Sequence, residues 1–516
     1  MSDVSITGPA PFSLWDYLRE ELLATDFDSH QEMKWERVSN FLNIPFAVEK
    51  TIGFGIILCF DSFLYTFTIL PIRAALALYR LCANWITFKN SLPPSQKADI
   101  LRALLLITSL AILAPLTDAS KIYHTIRLQE TVKLYVIFNA VEIADRLCTS
   151  IGQDILDCLF SRSTLAPLSR KVPVSHRTFL PLVYFALAVL YTAHTLVLIY
   201  QLISLNVAIN SYDHSLLTLL VSNQFVEIKG SVFKKFEKDN LFQITCADIV
   251  ERFQLSLMMT FIAVRNLIEL SGTEFDFSAA VPDSFRWIPG HGLAWTILSP
   301  VAMVLLSELC VDWLKHAFIT KFNHIRPSVY ERYMDVLCLD LASGSAMGRH
   351  GARKHTYVDQ SPLVARRLGF ASLPLACLTF LIAAQAFSST VSGFDSKEWF
   401  HFGQRHIKYG ILITLAWVCL VLVKIIMGVN LISVATHRRA DMERREAEDV
   451  VNDFGRDPIG ESKDEKNYNR DLKTLLLQKK DDASRTSDMG ERTKDGVKKR
   501  PGLNELTRFT MVKYIW

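Results

Sequence analysis

Asp61 and Arg73 interrupt the apolar run TIGFGIILCFDSFLYTFTILPIRAALALYRL. Ionisable side chains at bilayer depth are costly, which makes them candidates for function. As a helix the run is about 46 Å long, more than a hydrocarbon core of about 30 Å, so it must tilt, kink or protrude. Pro71 removes a backbone donor and gives a reason for a kink. Asp61 and Arg73 stand too far apart to pair along one helix, so each needs a partner elsewhere. Asp61 reads either as the lining of a pore or proton path, or as a bond to a neighbouring helix. The second reading is preferred, because an isolated ionisable residue in a bundle does not by itself specify transport.

A second constellation is NAVEIADRLCTSIGQDILD, with Glu142, Asp145 and Arg146 at i, i+3 and i+4. Glu142 and Arg146 share a face with the acid on the amino side, the favourable order for a helical ion pair. Paired carboxylates used for acid/base chemistry must oppose each other across a cleft, which one helix does not supply. The third is SELCVDWLKHAFITKFNHIRPSVYERY, where Glu308, Asp312 and His316 form a stripe at spacing four. The stripe resembles the ligands of a di-metal bundle, but it contains no E-x-x-H, and a contact from Asp312 to Lys315 or His316 is the simpler reading. The sequence contains no G-x-S-x-G, phosphate-loop, H-E-x-x-H or dinucleotide glycine motif. No catalytic residue, cofactor or metal is therefore expected, and any small-molecule substrate is left open.

Mean hydropathy of +0.21 and 50% hydrophobic residues exceed what one soluble core needs, which makes a lipid bilayer the natural solvent for the surplus. A net charge of +4, with Lys and Arg in loops and tail, argues against nucleic acid. The nine cysteines are scattered with no C-x-x-C pair, and are read as buried thiols. The amino end lacks the basic-then-apolar layout of a cleavable signal, while Trp15, Leu18, Leu22 and Leu23 suit a short amphipathic helix.

Six windows are long and apolar enough to span: Thr51–Leu81, Ile100–Thr117, Thr178–Leu205, Gly290–Val311, Leu368–Phe387 and Ile407–Ile432. Lys133–Arg146 is short, and Phe253–Leu270 carries Arg265 and Glu269. The fold expected is an all-α, polytopic integral membrane bundle of about six to eight spanning helices, by the window-length argument. It divides into a cytosolic or surface amphipathic segment over 1–50, a multi-pass domain over 51–432, and a charged, largely disordered cytosolic tail over 433–516. Lys and Arg between Lys315 and Arg367 and at the start of the tail place both in the cytosol, with the last two spans forming a hairpin. The same rule conflicts with itself around Thr178–Leu205, unless a segment such as Ser215–Ile228 also enters the membrane. The Gly-rich basic stretch Leu341–Tyr357 reads as a solvated loop, and the terminal RFTMVKYIW as a docking element or a fraying end.

Four stretches resemble the transmembrane anterior posterior transformation protein family, also called the Tapt or cytomegalovirus-receptor family: DSFLYTFTILPIRAALAL, KLYVIFNAVEIADRLCTSIGQDILDCLF, SLNVAINSYDHSLLTLLVSNQFVEIKGSVFKKFEKDNLFQITCADIVERFQL and SELCVDWLKHAFITKFNHIRPSVYERY. The resemblance implies a multi-pass protein of the endoplasmic reticulum membrane, linked in animals to axial patterning and cilium formation. It also implies work beside a SUN-like membrane protein in protecting or folding clients. The family has no agreed catalytic residues to carry over. Within it, Phe225–Phe242 alternates apolar and basic residues; Phe225, Lys229, Phe233, Lys234, Lys235 and Phe236 suit an interfacial helix or a partner-docking face. The expected function is a non-enzymatic scaffold or quality-control component. The competing expectations are a transporter, channel or receptor using Asp61, Arg73 and Glu142, and a lipid-modifying enzyme using Glu308, Asp312 and His316.

Overall fold

The computed structural model describes residues 31–86, 93–117, 119–129, 131–160, 174–210, 215–232, 238–271, 293–323, 325–344, 367–392 and 402–442, with positions 15, 18, 444 and 445. These residues are almost entirely helical and contain no strand. The helices are α1 (Gln31–Ile86), α2 (Pro94–Leu116), α3 (Ala119–Arg127), α4 (Thr131–Leu159), α5 (Val174–Asn210), α6 (Ser215–Val232), α7 (Lys238–Ser271), α8 (Leu293–Phe322), α9 (Ser328–Gly344), α10 (Ser372–Ser392) and α11 (Phe402–Ala440). The chain is an all-α polytopic membrane bundle.

Among the described residues, four segments are long and apolar enough to cross a bilayer: Val38–Trp85, Ser95–Leu116, Leu182–Asn210 and Gly410–Ala440. Ser372–Gln385 is a shorter apolar helix. The window Gly290–Val311 falls largely in α8, whose Glu308, Asp312 and Lys315 dilute its apolar character. Lys133–Arg146 and Phe253–Leu270 are helical within α4 and α7. Helix runs beyond the apolar windows at both ends, from Gln31 in α1 and to Ala440 in α11. Hydropathy marks the part of a helix in hydrocarbon, whereas hydrogen bonding carries the helix on into water.

α1 is the hub, packing on α2, α7, α8, α9, α10 and α11. In its most apolar window 61% of residues lie inside the structure, against none for α11. Ile411, Leu412, Leu422, Ile426 and Val429 of α11 are all more than half exposed, a surface that only a lipid-like environment tolerates. Gly55 makes the contact of α1 with α7 possible, because a Cβ there would stand 2.5 Å from the Ile249 side chain. Gly369, at φ 68°, takes the left-handed turn before α10 that seats Phe370 edge-on against Phe253, 5.3 Å between ring centres.

The ion pairs of α1 mark its depth. Lys50 lies 3.5 Å from Glu331 of α9, Asp61 pairs with Lys424 of α11, and Arg73 donates to Asp99 of α2 at 2.8 Å. From Lys50 to Arg73 the helix advances about 35 Å, close to a bilayer core, with Asp61 about 16 Å from the Lys50 end. Asp61–Lys424 thus lies about midway between the two other pairs. Trp417 Nε1 donates to the Phe67 carbonyl, so α11 runs antiparallel to α1. Arg438 and Arg445 both bond Asp335 of α9, which puts the carboxyl end of α11 at the same end of the bundle as Lys50.

Burying one charge without the other is costly, whereas removing both can be nearly neutral. Asp61→Asn and Lys424→Met should each lower the melting temperature of the detergent-solubilised chain. The double variant should recover part of the loss, with a coupling of about 1–3 kcal/mol. Additive losses in that double-mutant cycle would show that the pair contributes nothing.

None of the nine cysteines forms a disulfide. Cys59, Cys246, Cys338 and Cys377 are buried as expected of scattered thiols, but Cys82, Cys158, Cys310 and Cys419 are exposed. Cysteine is apolar enough to face lipid, which is why apolar context did not imply burial. The tail beyond 445, Leu22, Leu23 and the terminal RFTMVKYIW lie outside the described residues, as do 393–401 between the last two spans.

Candidate functional site

The ionisable residues converge where α1, α4, α6, α7, α8 and α9 meet. The arrangement begins with a pentad that occurs twice: Glu142-Ile143-Ala144-Asp145-Arg146 on α4 and Asp248-Ile249-Val250-Glu251-Arg252 on α7. In each, both acids and the arginine fall on one helical stripe. Arg146 donates to Glu142 at 2.8 Å, as the spacing predicts, and reaches across to Glu251 of the second pentad at 3.0 Å. Asp145 accepts from Gln254 at 3.2 Å and lies 2.6 Å from His194 Nε2 on α5. Three helices, α4, α5 and α7, are thereby tied together.

The second pentad anchors the deeper network. Arg252 donates through Nε to Asp312 of α8 at 2.6 Å and through Nη1 to Glu49 of α1 at 2.8 Å. Glu49 also accepts from the Trp313 indole at 3.1 Å. Lys315 is 1% exposed, with its ammonium 2.7 Å from Asp248, 2.8 Å from Asp312 and 3.2 Å from Glu227 of α6. His316 stands 2.7 Å from Asp248 through Nε2 and 2.8 Å from the Tyr330 hydroxyl through Nδ1. A neutral imidazole that donates from Nε2 and accepts from the tyrosine satisfies all three groups. Burial alone would push the Asp248 carboxyl up, yet Lys315 and His316 hold it well below the usual carboxylate range. Thr51 closes the assembly by donating to the Tyr330 carbonyl at 3.1 Å.

Asp248, His316 and Tyr330 form an acid–imidazole–hydroxyl chain, a sequence of groups familiar from nucleophile activation. Tyr330 and His316 are completely buried, and neither lines either of the cavities described below. Their bonds link α7, α8 and α9.

Two cavities adjoin the network. The larger, about 300 Å³, is lined by Glu142, Asp145, Glu227, Glu251 and Glu308 together with Arg146, and has a broad apolar wall. The smaller, about 70 Å³, lies beside Ser62, Thr66 and Arg102. His194, Thr149 and Phe370 line both. Glu227, Asp248 and Glu251 bring carboxylate oxygens within 4.8 Å of one another, the spacing of a cation site. Asp248 already faces Lys315 and His316, so the trio lacks the uncommitted carboxylates that a hard cation demands.

The sequence picked out Asp61, Arg73, Glu142, Asp145, Arg146, Glu308 and Asp312, and the structure sorts them by place. Glu142, Asp145, Arg146, Glu308 and Asp312 meet in one neighbourhood, while Asp61 and Arg73 lie in separate pairs deeper along α1. Asp312 contacts Lys315, whereas His316 turns to Asp248 on another helix. Sequence reading missed Glu49, Asp248, Glu251 and Arg252, although the repeated pentad was a visible signal. Of the interfacial candidates, Phe225 is 54% exposed and Lys229 is exposed, while Phe233, Lys234, Lys235 and Phe236 lie outside the described residues. At the far end of that pattern, Phe242 turns inward against Tyr333, 5.0 Å between ring centres.

Residues 92–440 match the model of DUF747, described as a eukaryotic membrane protein family. The chain is 45% identical over 400 residues to Endoplasmic reticulum membrane protein 65 of Schizosaccharomyces pombe, a match covering 75% of this chain and 59% of that protein. It is 42% identical over 412 residues to Transmembrane anterior posterior transformation protein 1 of Mus musculus, covering 78% of this chain and 67% of the relative. The homolog of that protein in Homo sapiens matches at 42% over 412 residues. No solved structure matches the chain.

Proposed function

The chain belongs to the eukaryotic membrane protein family whose model it matches, and from that premise we propose that it is a non-enzymatic scaffold of the endoplasmic reticulum membrane. In this reading it acts through a SUN-like membrane protein in the folding or protection of client proteins. Its contribution to axial patterning and cilium formation, where an organism has them, follows from those clients. The compartment rests on the printed name of the fission-yeast relative. The positive-inside rule puts the Lys50 end of α1, α9 and the start of the tail in the cytosol, since they share one end of the bundle and carry Arg438, Arg439 and Arg445.

One observation favours a scaffold over a conduit: the buried charged residues are committed to partners on other helices. Asp61 holds Lys424, Asp99 holds Arg73, and Asp312 holds Arg252. A group that relays protons or ions must exchange partners, whereas a group that staples helices keeps one. The exposed apolar faces of α11 and the basic end of α6 remain for lipid and partners. The absence of catalysis is part of the same proposal.

Purification of the tagged chain from native membranes in mild detergent should recover a second membrane protein near one-to-one. Recovery of the chain alone, at full abundance and monodisperse, would count against the scaffold. In proteoliposomes holding equal amounts of folded chain, Asp61→Asn should leave ion flux unchanged, and abolition of a flux present in the wild type would favour transport instead.

A further inference from the structure

The larger cavity gathers more carboxyl groups than cationic ones. Five carboxyl groups, from Glu142, Asp145, Glu227, Glu251 and Glu308, share its wall with the Arg146 guanidinium and the His194 imidazole. The neighbouring cations offer little more. Lys315 already faces Asp248 and Asp312 as well as Glu227, and Arg252 is divided between Glu49 and Asp312. Carboxyl groups withdrawn from bulk water either hold a proton or gain from a neighbouring positive charge. An independent sign comes from Gln201 on the same wall, whose Oε1 is buried with no hydrogen-bond partner among the described residues. A buried acceptor of that kind calls for a donor.

The rest of the lining says what kind of cation fits. Phe138, Val250, Leu255, Met258 and Phe370 supply an apolar and aromatic wall beside the acids. A hydrated inorganic ion gains nothing from such a wall, whereas an ammonium with an apolar body gains from both sides and from the aromatic faces. A volume of about 300 Å³ stands at the lower end of the range for small-molecule pockets, roughly 300–1,000 Å³. We propose that this cavity, between α4, α5, α6, α7 and α8, is a binding site for an organic amine with an apolar body. The inference stands apart from the scaffold reading and survives or fails without it.

The test uses the full chain in lipid nanodiscs and reads its melting temperature against ligand concentration. Phenethylammonium added to the water, and dodecylammonium carried in the bilayer, distinguish a soluble amine from a membrane-borne one. Saturable stabilisation by either, absent with 2-phenylethanol and with calcium chloride, is the expected result. Glu308→Gln should weaken binding about tenfold, near 1.4 kcal/mol. Val226→Trp, at a half-exposed position on the wall, should block binding while the unliganded chain melts as the wild type does. If Glu308→Gln fails to fold, Glu142→Gln provides the same reading. Equal stabilisation by amine and alcohol, an equal response to calcium, no response to either amine, or undiminished binding in Val226→Trp would each overturn the proposal.

Discussion

Lys315→Met should cost the fold about 3–5 kcal/mol, the penalty for leaving buried charges without their partner. Methionine fills nearly the same volume, so the loss is electrostatic. Of Asp248 and Asp312, both 2% exposed, the first would retain only the His316 imidazole and the second only Arg252, and Glu227 would lose its contact with the ammonium. Marginal stability means that a loss of this size leaves little folded chain. It should appear as a collapse of the monodisperse peak in fluorescence-detected size-exclusion chromatography and a large fall in melting temperature. Asp248→Asn in the same chain should restore part of the stability, because it removes one of the two orphaned carboxylates. Retention of the wild-type melting temperature by Lys315→Met alone would show that the network does not hold the helices.

Gly55→Leu should be comparably damaging for a steric reason. The ideal Cβ at Gly55 already meets Ile249 Cδ1 at 2.5 Å, Cγ2 at 2.7 Å and Cγ1 at 2.8 Å. Ile249 is β-branched, stiff at χ1 and fully buried, so it has no rotamer in which to retreat. Leucine is the better helix former by about 1 kcal/mol, which works in the opposite direction. Overpacking of about 3 kcal/mol outweighs that gain. Moving α1 away from α7 would also pull Glu49 from Arg252, which couples the packing to the ion network. Gly55→Leu combined with Ile249→Ala should melt well above the single variant. Gly53, two residues earlier on another face of α1, has open space where a Cβ would stand and should accept alanine without loss.

The membrane class was legible because hydrocarbon demands long apolar runs, and the strongest of them stand out in α1, α2, α5 and α11. The Glu142–Arg146 pair was legible because it is local to one helix. Asp61 announced only that it needed a partner, and nothing in its own helix pointed to Lys424, 363 positions away. The network around Lys315 was hidden for a different reason. Its members lie at the ends of apolar windows, where Glu49, Asp248 and Arg252 resemble ordinary interfacial charges. Only packing shows that α7, α8 and α9 bring those ends together in the interior. Repetition of the acid-Ile-x-acid-Arg pentad was the one sequence signal that α4 and α7 meet, and their contact through Arg146 and Glu251 gives it a physical meaning.

On the proposal above, buried charges staple helices and do not carry a substrate. A charge swap between α1 and α11 tests this most directly: Asp61→Lys together with Lys424→Asp, introduced into cells lacking the native copy, with partner recovery and growth or development as readouts. A staple has no preference for which helix bears which sign, so the swapped chain should accumulate, melt near the wild type and restore both readouts. A swapped chain that accumulates and melts as the wild type does, yet restores neither, would contradict the claim.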